Sequence, residues 1–215
     1  MSPSDFPCTP SSTGYPSDCE VTEGLRQRAM AKGCQEERGY VWRACLSRAQ
    51  EVRLLLLDVD GVLTDGSIIY THSGTEMKSF NTKDGFGIRI LQESGIEVGI
   101  ITARNSEAVH RRAQDLKMSH VYQGVRNKIE AFNTIITDQQ LDPSQVAYMG
   151  DDWLDLPLLT RVGLAAAPAD AVSEVRAVAH FVTRQHGGQG AVRELCDLLI
   201  EARGKRDEIL ARYQR

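Results

Sequence analysis

From residue 52 onward, short apolar runs of strand character alternate with segments of helical period, and few architectures accept such a pattern. The runs are 52–59, 96–102, 120–123, 145–149, 163–167 and 180–183. Helical segments cover 85–94, 106–118, 128–139, 171–179 and one long stretch from 191 to about 213. Strands separated by helices pair in parallel through right-handed crossovers. The expectation is therefore an α/β fold, a doubly wound parallel sheet with helices on both faces. One interval breaks the alternation: in 66–80 two short apolar stretches flank Ser73-Gly74, a signal for a β-hairpin rather than a crossover helix. It should project from the sheet edge as a flap.

The first forty residues read differently. Pro3, Pro7, Pro10 and Pro16, four of the seven prolines, fall in the first sixteen positions among Ser, Thr and Gly. Such a segment buries too little apolar surface to offset its ordering entropy. Residues 1–38 are expected to be a disordered N-terminal extension and 39–215 the folded domain, with a C-terminal tail from about 185. A short helix is expected over 40–50, where Val41, Ala44, Cys45 and Leu46 make an apolar stripe. The formal net charge of −4 argues against a nucleic-acid or anionic-membrane partner, both of which call for excess positive charge. No apolar run approaches the roughly 20 residues of a bilayer span, and a cytoplasmic location is expected. The five cysteines show no spacing of a disulfide framework or zinc site.

In an open parallel sheet, ligands bind beyond the carboxyl ends of the strands. The polar residues that end the apolar runs are selective. The first run ends in Asp58-Val59-Asp60-Gly61, the second in Thr102-Ala103-Arg104 and the fourth in Gly150-Asp151-Asp152, while Lys128 opens the helix after the third. A single aspartate after a strand is commonly an N-cap or turn residue. Lys128 is more telling, because a cation at a helix N-terminus opposes the macrodipole.

Convergence of four loops on one rim points to phosphoryl transfer. Asp58 and Asp151 suit a hard divalent cation such as Mg2+, which takes one or two carboxylates plus phosphate oxygens and water. Lys128 would stabilise the transferring phosphoryl group and Thr102 would donate a hydrogen bond to it. Asp58 can attack phosphorus as a covalent nucleophile. Asp60, two residues on, can protonate the leaving oxygen and then deprotonate the hydrolytic water.

The segments DVDGVLTDG (58–66), IITAR (100–104), Lys128 and MGDDWLDLP (149–157) resemble the four motifs of the haloacid dehalogenase superfamily phosphatases. More narrowly, KSFNTKDGFGIRIL (78–91), YQGVRNK (122–128) and GGQGAVRELCDLL (187–199) are similar to the 3-deoxy-D-manno-octulosonate 8-phosphate phosphatases. The resemblance covers residues 42 to about 206. It implies a Rossmannoid fold of the haloacid dehalogenase type, an aspartyl-phosphate intermediate on Asp58, and release of an eight-carbon sugar acid used in lipopolysaccharide precursor biosynthesis. It further implies Mg2+ held by Asp58, the Asp60 carbonyl and Asp151, with Asp152 and Asp155 in the outer shell. Thr102 and Lys128 would bind phosphate, and Arg104 and Arg112 would face the sugar acid. Ala103 and Gln189 depart from the residues many relatives carry there.

The intervals 60–102 and 128–150 are too short to hold a cap domain. An open rim leaves phosphoryl transfer exposed to water, and members of the resembled family close it as capless homotetramers. The Gly187-Gly188-Gln189-Gly190 segment reads equally as a mobile strap able to enter a neighbouring site or as a hinge before the last helix. Two other functions stay open on sequence: the same chemistry on a sialic-acid-type 9-phosphate, and a phospho-aspartate regulatory switch. A switch gains nothing from an acid/base such as Asp60.

Overall fold

A computed structural model describes residues 39–214; the expected disordered extension, 1–38, lies outside the described residues. Val41–Arg215 forms one compact unit. Its centre is a six-stranded sheet in the order β5–β4–β1–β6–β7–β8, parallel throughout. The strands are β1 (Leu54–Leu57), β4 (Glu97–Ile101), β5 (His120–Tyr122), β6 (Val146–Met149), β7 (Leu164–Ala167) and β8 (Phe181–Val182). A separate antiparallel hairpin joins β2 (Ile69–Tyr70) to β3 (Glu76–Met77). Helices α1 (Tyr40–Glu51), α2 (Thr82–Glu93), α3 (Glu107–Asp115), α4 (Lys128–Asp138), α5 (Leu156–Leu159), α6 (Ser173–Val178), α7 (Ala191–Ala202) and α8 (Arg206–Tyr213) complete the unit.

The sheet is doubly wound because β1 is apolar on both sides. Leu55 and Leu57 join one core with Ile88, Leu91, Val109 and Leu195, from α2, α3 and α7. Leu54 and Leu56 join the other with Phe132, Ile135, Leu158 and Val175, from α4, α5 and α6. A run of four leucines can be buried only when both faces are covered. From β1 the chain proceeds to β4 and β5 on one side and to β6, β7 and β8 on the other. The strand order therefore reverses at β1, and the crevice at its carboxyl end is where a doubly wound sheet binds ligand.

Two expectations are corrected. The long helix foreseen from 191 to 213 is two, α7 and α8, separated at Gly204, whose φ of +64° ends the first. The helix foreseen over 85–94 starts at Thr82, because Asn81 accepts a hydrogen bond from Lys83 N at 2.8 Å and caps it. Within the segment after 185, α7 has Val192, Leu195, Cys196, Leu198 and Leu199 wholly buried. Gly87 lets α2 lie against it: a Cβ there would come within 3.2 Å of Arg193 Cα. The glycine segment before α7 is packed onto its own chain, with Gly188 N donating to Val62 O at 2.9 Å and Asn81 Nδ2 to Gly188 O at 3.2 Å.

Candidate active site

The loop after β1 begins with Asp58, whose N–H still bonds Met149 O at 3.0 Å and so extends the strand. The chain then turns tightly, Val59 O accepting from Leu63 N at 2.9 Å and Thr64 N at 3.1 Å. Gly61 sits in the turn with φ +82°, and a Cβ there would overlap the Asp151 carboxylate. Glycine is thus required twice, by the backbone angle and by the close approach of the loop after β6.

Lys128 is the first residue of α4 and is buried. Its Nζ donates to Asp58 Oδ1 at 2.8 Å, Asp155 Oδ1 at 2.6 Å and Tyr148 Oη at 3.2 Å. Tyr148 donates in turn to Asp155 Oδ1 at 2.6 Å. Asp155 Oδ2 accepts from Asp151 N at 2.9 Å, fixing the loop that carries Asp151. Burial alone would lower the Lys128 pKa, but the Asp58 and Asp155 carboxylates hold it above its ordinary value, so the side chain stays cationic.

One lysine does not balance the carboxylates around it. An oxygen each from Asp58, Asp151 and Asp155 lies within 4.8 Å of the others. Burial, and then the neighbouring carboxylates of Asp58, Asp155 and Asp152, raise the Asp151 pKa to about 8. Burial raises Asp58 to about 6, with Lys128 working against the rise. Three oxygen donors with surplus negative charge fit a hard divalent cation.

A cleft of about 270 Å³ opens over this cluster. Eight of the nine site residues foreseen from sequence line it: Asp58, Asp60, Thr102, Arg104, Lys128, Asp151, Asp152 and Asp155. Thr102 is buried and bonded through its backbone to Tyr122 O at 2.9 Å. Asp152 is exposed and caps the turn over Trp153–Asp155 by accepting from Trp153 N at 2.7 Å. Arg112 is the exception. It lies in the last turn of α3, donates to Asn81 O at 3.2 Å and stacks 5.7 Å from the Phe80 ring, so within this chain it braces the start of α2.

Sequence reasoning missed three residues. Tyr148 is wholly buried among apolar side chains of β6; its only signal was that a buried phenol needs a hydrogen-bond partner. Glu76 and Lys78 lie on the hairpin, where the period-2 alternation around Met77 puts both on one face. Lys78 pairs with Asp60 and, at 2.9 Å, with Glu76; Glu76 bonds Arg104 Nη2 at 2.7 Å. The hairpin foreseen as a projecting flap thus reaches back to its own rim.

Comparison with known proteins agrees with this geometry. Residues 120–195 match the haloacid dehalogenase-like hydrolase family. The 3-deoxy-D-manno-octulosonate 8-phosphate phosphatase of Escherichia coli K12 is 48% identical over 163 residues, 76% of this chain and 87% of that protein. The chain belongs to the 3-deoxy-D-manno-octulosonate 8-phosphate phosphatase family. The crystal structure of the Yersinia pestis phosphatase superposes with a TM-score of 0.73 at 47% identity, covering 74% of this chain and 86% of that one. That of the Moraxella catarrhalis phosphatase, solved with magnesium, phosphate and the sugar acid, gives 0.78 at 38% identity, covering 79% and 98%. The parallel sheet with an acidic cluster at the end of its central strand is the frame of a magnesium-dependent phosphomonoester hydrolase.

Proposed function

We propose that this chain is the magnesium-dependent phosphatase that cleaves 3-deoxy-D-manno-octulosonate 8-phosphate into the free sugar acid and phosphate. The observation that carries it is the buried Asp58 carboxylate, bonded to Lys128 at 2.8 Å and clustered with Asp151 at the floor of the cleft. Asp58 attacks phosphorus, the bond to the sugar oxygen breaks, and that oxygen takes a proton from Asp60. Asp60, now a carboxylate, accepts a proton from the water that hydrolyses the aspartyl phosphate. Lys128 and the Thr102 hydroxyl hold the phosphoryl oxygens as charge builds on them. Asp155 keeps Lys128 and the Asp151 loop in place. Asp58, Asp151 and the Asp60 carbonyl would hold Mg2+, which when bound neutralises phosphoryl charge. Arg104 meets the sugar-acid carboxylate at the rim.

The test is phosphate release with Mg2+ from the eight-carbon 8-phosphate and from a nine-carbon sialic-acid-type 9-phosphate. The eight-carbon ester is expected to win in kcat/KM by at least about tenfold, the scale of one good polar contact. A preference for the nine-carbon ester, or a stable phosphoprotein without release, would defeat the reading.

A homotetramer acting in the cytoplasm completes it. Support comes from the hairpin, whose Ile68, Ile69, Tyr70 and Met77 are each exposed, apolar surface on both of its faces that neighbouring copies would cover. Among the described residues no helix is long and apolar enough to cross a membrane. Light scattering after size exclusion should give the mass of four chains; a monomer mass at micromolar concentration would contradict the assembly.

A further inference from the structure

Asp60, Lys78, Glu76 and Arg104 form a closed ring of alternating charge between the hairpin and the rim. Lys78 pairs with Asp60 and with Glu76 at 2.9 Å, Glu76 with Arg104 at 2.7 Å, and Arg104 Nε lies 3.8 Å from Asp60 Oδ2. The Lys78 side chain is 1% exposed, although its neighbour Met77 is 49% exposed. A lysine so enclosed on a peripheral hairpin is held by its partners, since lysine is almost never fully buried unless paired.

The ring keeps two tasks apart. Arg104 is a planar fork suited to grip any carboxylate bidentately, and Asp60 is a carboxylate within its reach. Were Arg104 to close on Asp60, the acid/base and the sugar-acid contact would be lost together. Glu76 takes the Arg104 hydrogen bond and Lys78 the Asp60 one, which leaves Arg104 Nε and Asp60 Oδ2 3.8 Å apart, an ion pair without a hydrogen bond. We propose that Lys78 is a positioning residue that holds the Asp60 carboxyl group beside the departing sugar oxygen and out of hydrogen-bond reach of Arg104. The proposal rests on the function argued above and adds a residue from outside the strand-end loops to it.

Positioning of a general acid predicts dependence on the leaving group. An alkyl oxygen must be protonated as it departs, whereas p-nitrophenolate leaves without a proton. Comparison of kcat/KM isolates the steps through P–O cleavage, so the later hydrolysis shared by both substrates does not obscure the result. Lys78→Met should lower kcat/KM on the sugar-acid phosphate by roughly 30-fold, part of the hundredfold or more that general acid–base catalysis supplies. On p-nitrophenyl phosphate the loss should stay within about threefold, because the general-acid contribution is not called on. Thermal melts accompany both assays, and Lys78→Gln, smaller and polar, provides the same comparison should Met perturb the hairpin.

Equal losses on the two substrates, or no loss on the alkyl ester, would overturn the assignment. A wild type inactive on the sugar-acid phosphate would instead defeat the substrate reading. The Lys78 comparison then runs on another alkyl monoester the enzyme cleaves, such as glycerol phosphate.

Discussion

Asp58→Asn should abolish magnesium-dependent phosphate release, with a loss of at least about 10⁴-fold, the scale seen when a catalytic nucleophile is removed. The side chain keeps its volume and loses only its charge and nucleophilicity. The fold should not suffer. At Asp58 burial outweighs the attraction of Lys128, which is why its pKa sits at about 6; a neutral amide avoids that desolvation. Its carbonyl can still accept the Lys128 hydrogen bond. The expected signature is a melting temperature at pH 7.5 within a few degrees of wild type, combined with no measurable turnover above background in a coupled phosphate assay. Residual turnover within about a hundredfold of wild type would point to direct attack by water, with Asp58 serving only as a charge, since general acid–base and electrostatic effects alone account for that much.

The parts of the site readable from sequence are those set by strand ends. In a doubly wound sheet the residue after each strand must lie near the crevice, so Asp58, Thr102 and Asp151 could be placed together from periodicity alone. Lys128 followed because an N-terminal lysine on a helix is unfavourable without a partner, and the partners are Asp58 and Asp155. What stayed hidden depended on tertiary approach. Asp155 was expected farther from the metal than Asp151, yet it is the group that organises both Lys128 and the Asp151 backbone. Glu76 and Lys78 carry no strand-end signal, and their reach to Asp60 and Arg104 depends on how the hairpin folds back. Arg112 does not line the cleft within this chain for the same reason: helical spacing puts it on α3, but packing of α3 against α2 decides which way that face looks. Periodicity likewise ran α7 and α8 together, since an amphipathic pattern continues across a glycine whose positive φ stops the helix.

Lys128→Met should both inactivate the enzyme and destabilise it, and the destabilisation should depend on pH. Lys128 is the cation bonded to Asp58 and Asp155. Removing one partner of a buried ion pair leaves an uncompensated charge at a cost of about 3–5 kcal/mol. At roughly 2–4 °C per kcal/mol for a protein of this size, the metal-free variant should melt about 10 °C below wild type near pH 8.

The sign of the pH effect follows from proton binding. In the folded wild type Asp58 and Asp151 titrate at about 6 and about 8, above the ordinary value of 3.8, so the folded state holds more protons than the unfolded one across that interval. Their contribution to stability is therefore full below pH 4 and is lost as pH rises through 6 and then 8. Without Lys128 both carboxyls should bind protons more tightly still, which moves the loss to higher pH and deepens it. The gap between variant and wild type should thus be wide at pH 8 and narrow at pH 5, where protons replace the missing ammonium. Added Mg2+ should stabilise both proteins at pH 8 and do little at pH 5, since protonated carboxyls are poor ligands. Differential scanning calorimetry in chelator and in magnesium, at the two pH values, measures all four quantities. A gap between variant and wild type that is the same at both pH values would show that the carboxylates do not feel Lys128, and the charge balance proposed for the nucleophile would fall with it.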